Sequence, residues 1–335
     1  MKKILAATVA LIMVSSAVWA AGGKDAGAKD SMKKEVVIGY TVQSMENDFF
    51  VSVVQGMKDH AAELGIKLIV ADAAADASKH IDQINNFIAQ DVDAILISPV
   101  DQTAPETAVK RAVDAGIPVV SLNQLVKGSS ASLLMKEYEY GFMGGTIAGK
   151  WLNAKESDGS ISKILNKKGE IEVAVVRYDT IASLIDRSEG LKQGITKNYT
   201  GKKKINFVFE QDGADSAAGL KIAETAYTAN PDISIFVCIN DSSALGVFEA
   251  ASAISGKNKD NTCIVGLDGL PQALKYISQN TMYKGTVDLS PVKLGGDGLD
   301  LALEVIQKGP IAEPRMPTMK MVTIENIADY KSVIK

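Results

Sequence analysis

Short apolar runs alternate with segments whose apolar positions recur every three or four residues, and this alternation covers most of the chain. Runs of the first kind read as buried strands and segments of the second as amphipathic helices. The pattern predicts strands over 35–40, 66–71, 94–98 and 117–122, with helices over 48–64, 78–90 and 104–115 between them. Within 48–64, Phe50, Val53, Val54, Met57, Ala61 and Leu64 fall at helical spacing. Gly65 and Gly116 stand where helices commonly end on a left-handed residue. The grammar then restarts with a helix over 141–153 and a polar loop. Strands follow over 170–177, 205–211, 233–239, 262–267 and 283–289, separated by helices over 181–199, 216–229, 242–255 and 271–279. A helix over 292–308, three prolines and a short strand near 320–323 complete the pattern. Regular strand–helix alternation implies parallel sheets covered on both faces. The expected class is therefore α/β, in two doubly wound halves of similar size.

Three apolar runs end on polar side chains. The run 117–122 ends at Asn123 and Gln124, the run 233–239 at Asn240 and Asp241, and the run 263–267 at Asp268. Ligands of open parallel sheets sit outside the carboxyl ends of the strands. Amides and carboxylates gathered there, with no nucleophile or metal set, point to recognition of a polar small molecule. The histidines, His60 and His80, fall on exposed-looking helices without Cys or His partners. No P-loop, zinc spacing or Ser-His-Asp order is present. Neither an enzyme nor a cofactor is expected.

The first 20 residues carry Lys2 and Lys3, a short apolar stretch and small residues before a cleavage point after Ala20, the signature of a secretory signal peptide. Residues 21–34 read as a flexible leader rich in Gly, Ala and Lys. Removing 20 of 335 residues leaves 315, enough for two ordinary domains, and moves the formal charge from -4 to -6. An acidic chain of this kind is not built to bind nucleic acid electrostatically. No cysteine lies near the cleavage point, so no lipid anchor is expected there, and the periplasm is the expected location. Cys238 and Cys263 are expected to stay unpaired. With Asn240 and Asp268 level on neighbouring strands, the sulfurs would be offset by three residues, about 10 Å at about 3.3 Å each, beyond the roughly 7 Å limit for a disulfide.

The chain resembles the sugar-binding branch of the type I periplasmic binding proteins, the ribose and galactose/glucose receptors of ABC importers. The resemblance runs through Asn47-Asp-Phe-Phe50, the stretches 56–59, 90–101 and 115–120, Arg187-Ser-Glu-Gly190, 229–232, Asn240-Asp241 and Gly266-Leu-Asp-Gly269. It implies two lobes joined by a three-strand hinge, an N-terminal lobe of 35–139 plus 290–318 and a C-terminal lobe of 140–289 plus 319–335. A monosaccharide would lie between them and be buried by hinge closure. The family relationship also implies a membrane permease as partner, with a chemoreceptor or sensor kinase as a further possibility, and a monomeric protein.

Site residues carry over one by one. Asp268 matches the family's binding aspartate and also stands where it could cap the 271–279 helix. Asn240 matches the binding asparagine, with Asp241 expected to cap the helix that follows. Arg187 matches the family arginine; its bland reading is an ion pair with Asp186 or Glu189. Asn123, Asp48 and Phe50 match the hexose version, and Phe49 and Phe50 are expected to divide stacking and packing between them. Asp288 is expected to stand in for a hinge-side glutamine where the chain has Leu289. Ala214 replaces a stacking aromatic, and Ser98 an asparagine of the ribose version. The segment 164–172 resembles the calcium loop of the galactose/glucose receptor, but Ile164 and Lys168 spoil its oxygen pattern, so no metal is expected. These matches put galactose or glucose first among ligands, with a pentose, an inositol or another polyol as the alternative.

Overall fold

The computed structural model describes residues 35–334. The expected signal peptide and leader, 1–34, lie outside the described residues. From the amino-terminal side the elements are β1 (Val37–Val42), α1 (Asp48–Leu64), β2 (Lys67–Asp72), α2 (Ala77–Ala89), β3 (Ala94–Ile97), α3 (Glu106–Asp114), β4 (Val119–Asn123) and β5 (Ala131–Leu134). Their strands form one parallel sheet in the order β2-β1-β3-β4-β5. The chain continues with α4 (Glu137–Ser157), β6 (Ile171–Arg177), α5 (Ala182–Asn198), β7 (Ile205–Asp212), α6 (Ser216–Ala229), β8 (Ile235–Cys238), α7 (Asp241–Ala253), β9 (Cys263–Val265), α8 (Pro271–Ser278) and β10 (Tyr283–Asp288). It closes with α9 (Pro291–Lys308) and β11 (Lys320–Thr323). The second sheet runs β11-β10-β9-β8-β6-β7, parallel except where β11 meets β10.

Each sheet is the centre of a lobe. Central strands such as β3 (Ala-Ile-Leu-Ile) and β8 (Ile-Phe-Val-Cys) are buried at every position, as expected for strands with helices on both faces. The chain passes between the lobes three times: from β5 to α4, from β10 to α9, and from α9 to β11. Helix α9 packs on α1 and against β3, β4 and β5, so it belongs with the first sheet although it follows the second. The third passage also runs beside β5, where Arg315 N donates to Ser132 O and Leu134 N donates to Arg315 O.

Three local expectations need correction. Strand β5 is absent from the sequence reading, because four residues (Ala-Ser-Leu-Leu) at a sheet edge carry no readable period; their order comes from pairing with β4. Helix α4 begins at Glu137, not at 141, since its polar first turn looks like loop. His80 is buried, on the α2 face shared with Ile84 and Phe87, and its Nδ1 accepts from Val100 N. The cysteines are free and buried. Ile235, not Cys238, is the partner of Cys263 across β8 and β9, which gives the three-residue offset.

Helices α4 and α5 approach so closely that four glycines, Gly141, Gly145, Gly190 and Gly194, are required between them. A Cβ on Gly145 would lie 2.1 Å from Leu191 O, and one on Gly194 would lie 2.3 Å from Phe142 O. Neither contact involves a side chain that could rotate away. Gly145→Ala must push the helices apart, at a cost of about 1–3 kcal/mol or more. A lower urea midpoint with an unchanged m value is the expected outcome; an unchanged midpoint would show the helices slide freely.

Candidate functional site

A cavity of about 350 Å³ lies between the lobes at the carboxyl ends of both sheets. Three of its polar residues are placed there by strands that end at it. Asn123 closes β4 with φ +69°, in the left-handed region that asparagine tolerates better than most residues. Asn240 follows β8. Asp268 follows β9 with φ +126°, an uncommon backbone state of the kind found at functional sites. Backbone pairing holds it there: Asp268 N donates to Val287 O, and Leu289 N donates to Asp268 O.

Asp268 is 3% exposed. Its Oδ1 accepts from the Tyr140 hydroxyl at 2.9 Å, while its Oδ2 is buried with no hydrogen-bond partner in the protein. A buried carboxylate oxygen without a partner carries a free-energy cost, which a ligand hydroxyl would remove. Burial first, and the neighbouring Asp241 carboxyl second, push the Asp268 carboxyl well above its usual range, against the pull of Arg187.

Arg187 is held from two sides. Its Nε donates to Glu137 Oε2 at 2.6 Å, its Nη1 donates to Ile239 O at 3.1 Å, and its guanidinium lies over the Tyr140 ring at 4.9 Å. Burial works most strongly against its charge, but Glu137, together with Tyr140 and Asp268, more than offsets that and raises its pKa. Gln124 Nε2 also donates to Glu137, at 3.3 Å. The partner of Arg187 is thus a buried carboxylate in the first turn of α4, not Asp186 or Glu189. No spacing in the sequence joins residues 137 and 187.

Asn240 takes over the capping duty expected of Asp241. Asn240 is the cap of α7: its Oδ1 accepts from Ser243 N at 2.9 Å. Its Nδ2 donates to Ala214 O at 2.7 Å, tying down the loop after β7, and the residue still lines the cavity. Asp241 is fully buried behind it, where its carboxylate accepts from the Tyr283 hydroxyl at 2.6 Å and from Leu270 N at 2.8 Å. Burial raises its pKa to about 7.

Phe49 and Phe50 both line the cavity, packed edge to face with ring centroids 5.2 Å apart. Asp48 does not line it; it is exposed at the start of α1. The cap of that helix is Asn47, whose Oδ1 accepts from Phe49 N and which does line the cavity. Asn47 Oδ1 also accepts from Ser242 Oγ at 3.2 Å, a hydrogen bond from one lobe to the other. Asp288 likewise falls outside the lining, engaged by Ser290 N and the Tyr330 hydroxyl, while its neighbour Leu289 faces in. Tyr178 and Asp215 line the cavity from loops that the sequence reading passed over, and Asp212 lines it from the last position of β7. Ala214 lies among them, and Ser98 instead meets the Tyr40 hydroxyl, away from the cavity.

Among the described residues no group of three His, Cys, Asp or Glu side chains is placed to hold a metal ion. In the 164–172 segment, Asn166 Oδ1 accepts from Lys168 N and Glu170 N, and its Nδ2 donates to Glu172. No helix among the described residues is long and apolar enough to cross a membrane.

Residues 38–310 match the family described as Periplasmic binding protein domain. The chain is 29% identical over 325 residues to the ribose import binding protein RbsB of Escherichia coli (strain K12), covering 96% of this chain and 98% of that one. It is 24% identical to the D-allose-binding periplasmic protein of the same organism, covering 84% and 88%. Among solved structures, an ABC transporter solute binding protein from Bacillus halodurans C-125 with bound myo-inositol superposes with a TM-score of 0.76 at 26% identity, covering 89% of this chain and 98% of that one. The arabinose-transporter binding protein from Shewanella sp. ANA-3, bound to L-arabinofuranose, gives 0.74 at 27%, covering 89% and 95%. The chain belongs to the periplasmic binding protein family, and its two α/β lobes have the type I architecture of that family.

Proposed function

We propose that this member of the periplasmic binding protein family captures a neutral polyhydroxylated ring, a monosaccharide or a cyclitol, between its lobes and delivers it to the permease of an ABC importer. The observation that carries this reading is the Asp268 carboxylate oxygen, buried in the cavity without a partner. Around it stand amides (Asn123, Gln124, Asn240), a fixed guanidinium (Arg187) and two phenylalanine rings. Ring hydroxyls need such partners when buried, and the apolar faces of a ring suit aromatic contact. The reading is of a binding protein, not an enzyme, acting as a monomer in the periplasm after export.

Within that class, the amide Asn123, matching the hexose version, supports galactose or glucose. A second reading, a pentose or inositol, is supported by the ligands named for the relatives and by the lining itself, in which Asp48, the residue matched to the hexose version's aspartate, takes no part. A thermal-shift panel of galactose, glucose, ribose, allose and myo-inositol separates these. The best ligand should also shrink the radius of gyration in small-angle scattering as the lobes close. A panel with no response, or a radius unchanged at saturation, would sink the reading.

A further inference from the structure

Two groups that face the cavity are suited to pair with each other, yet they stay apart. Arg187 and Asp268 both line it, and they are 7% and 3% exposed. Opposite charges that share a water-poor space attract strongly, and a guanidinium can offer a carboxylate two parallel hydrogen bonds. Such a pair would satisfy Asp268 Oδ2, and a ligand would first have to break it. The ion pair that Arg187 makes is instead with Glu137, and Asp268 Oδ2 stays without a partner.

The cause lies in the first turn of α4. Glu137 and Tyr140 stand there three residues apart, so their side chains are neighbours on one face of the helix. Neither lines the cavity. Glu137 Oε2 accepts from Arg187 Nε at 2.6 Å, and its Oε1 accepts from Gln124 Nε2 at 3.3 Å. Gln124 comes from the first lobe and Arg187 from the second, so this one carboxylate is anchored from both sides. The Tyr140 ring lies against the same guanidinium at 4.9 Å, while its hydroxyl donates to Asp268 Oδ1 at 2.9 Å. With Nε on Glu137 and Nη1 on Ile239 O, the arginine has Nη2 left for a ligand.

We propose that Glu137 and Tyr140 are positioning residues of the binding site: by holding Arg187 away from Asp268, they present both groups to the ligand unpaired with each other. This rests on the ring-binding reading above. Without them the guanidinium turns onto the Asp268 carboxyl, and a ring hydroxyl must displace an ion pair to reach either group.

The test is a double-mutant cycle read by calorimetry on the full-length protein. The parent ring is the best binder among galactose, glucose, ribose, allose and myo-inositol. Glu137→Gln keeps the shape of the side chain and removes the charge that holds Arg187, and it should weaken the parent at least tenfold. On the Asp268→Ala background no carboxyl remains for Arg187 to turn onto, so the same change should weaken the parent less than threefold. Any other pair of results overturns the inference. An equal loss on both backgrounds marks a residue that only supports the fold, and no loss on either marks a bystander. Thermal melting shows whether each variant is folded. If Glu137→Gln is not, Tyr140→Leu takes its place with the same two expectations, since it removes the ring beside the guanidinium and leaves Glu137 where it is. Failure of both variants to fold makes the two residues structural and overturns the inference as well. No binding by any parent overturns the ring reading, and this inference with it.

Discussion

Asp268→Ala should weaken binding of the best ring ligand by about 1–3 kcal/mol, or roughly 5- to 150-fold, while leaving the ligand-free protein nearly as stable as before. The two halves of this expectation have different causes. In the complex, the variant strands a ligand hydroxyl out of water, while the Tyr140 hydroxyl keeps Val287 O as an acceptor at 3.3 Å. In the free protein, the loss of the Tyr140 bond is offset by removing a buried carboxylate whose Oδ2 has no partner. The residue therefore works against the empty state and for the filled one. Calorimetry and thermal melting on the same preparation measure both. Wild-type affinity in the variant would remove Asp268 from the site, and a collapse in melting temperature would make it a structural residue instead.

Arg187→Met should be the more damaging change to the fold. It leaves Glu137, which is 8% exposed, with Gln124 as its remaining polar side-chain partner. Breaking a buried pair from one side costs about 3–5 kcal/mol, because the surviving charge stays buried. Replacing both partners by uncharged groups costs far less. The double variant Arg187→Met with Glu137→Leu should thus recover most of the stability lost by the single one. It should not recover ligand affinity, since the guanidinium that faces the cavity is still missing. Recovery of both would reduce Arg187 to a packing element. Recovery of neither would mean the Tyr140 contact, not the ion pair, is what the arginine supplies.

The parts of this protein that were legible in its sequence are those that chain topology forces. A strand in a parallel sheet delivers its last residues to the carboxyl edge, so Asn123, Asn240 and Asp268 arrive at the cavity without any knowledge of their neighbours. What period and position leave open are contacts across the chain and choices of one residue. Glu137 meets Arg187 across 50 residues, and its helix turn reads as loop. Asn47 rather than Asp48 caps α1, because either polar residue could begin the same helix and backbone geometry decides between them. At the end of β10 successive side chains point to opposite faces, so Leu289 lines the cavity and Asp288 does not. Asn240 takes the cap from Asp241 by the same one-residue choice. Tyr178 and Asp215 lie on loops, which carry no period at all.

Under the proposed closing of the lobes, the hydrogen bond from Ser242 to Asn47, made by side chains of the two lobes alone, gives the receptor a bias it must live with. A lobe–lobe bond raises the fraction of empty molecules that are already shut, and apparent affinity scales with the fraction of molecules in the competent state. A tighter latch makes a better scavenger at low solute concentration. It also makes unloaded and loaded receptors look more alike to whatever reads their shape, and it slows the opening that must precede release. A single neutral bond, worth about 0.5–1.5 kcal/mol net, shifts that balance by no more than about tenfold. The lobes are weighted toward meeting, yet a transport partner can still part them.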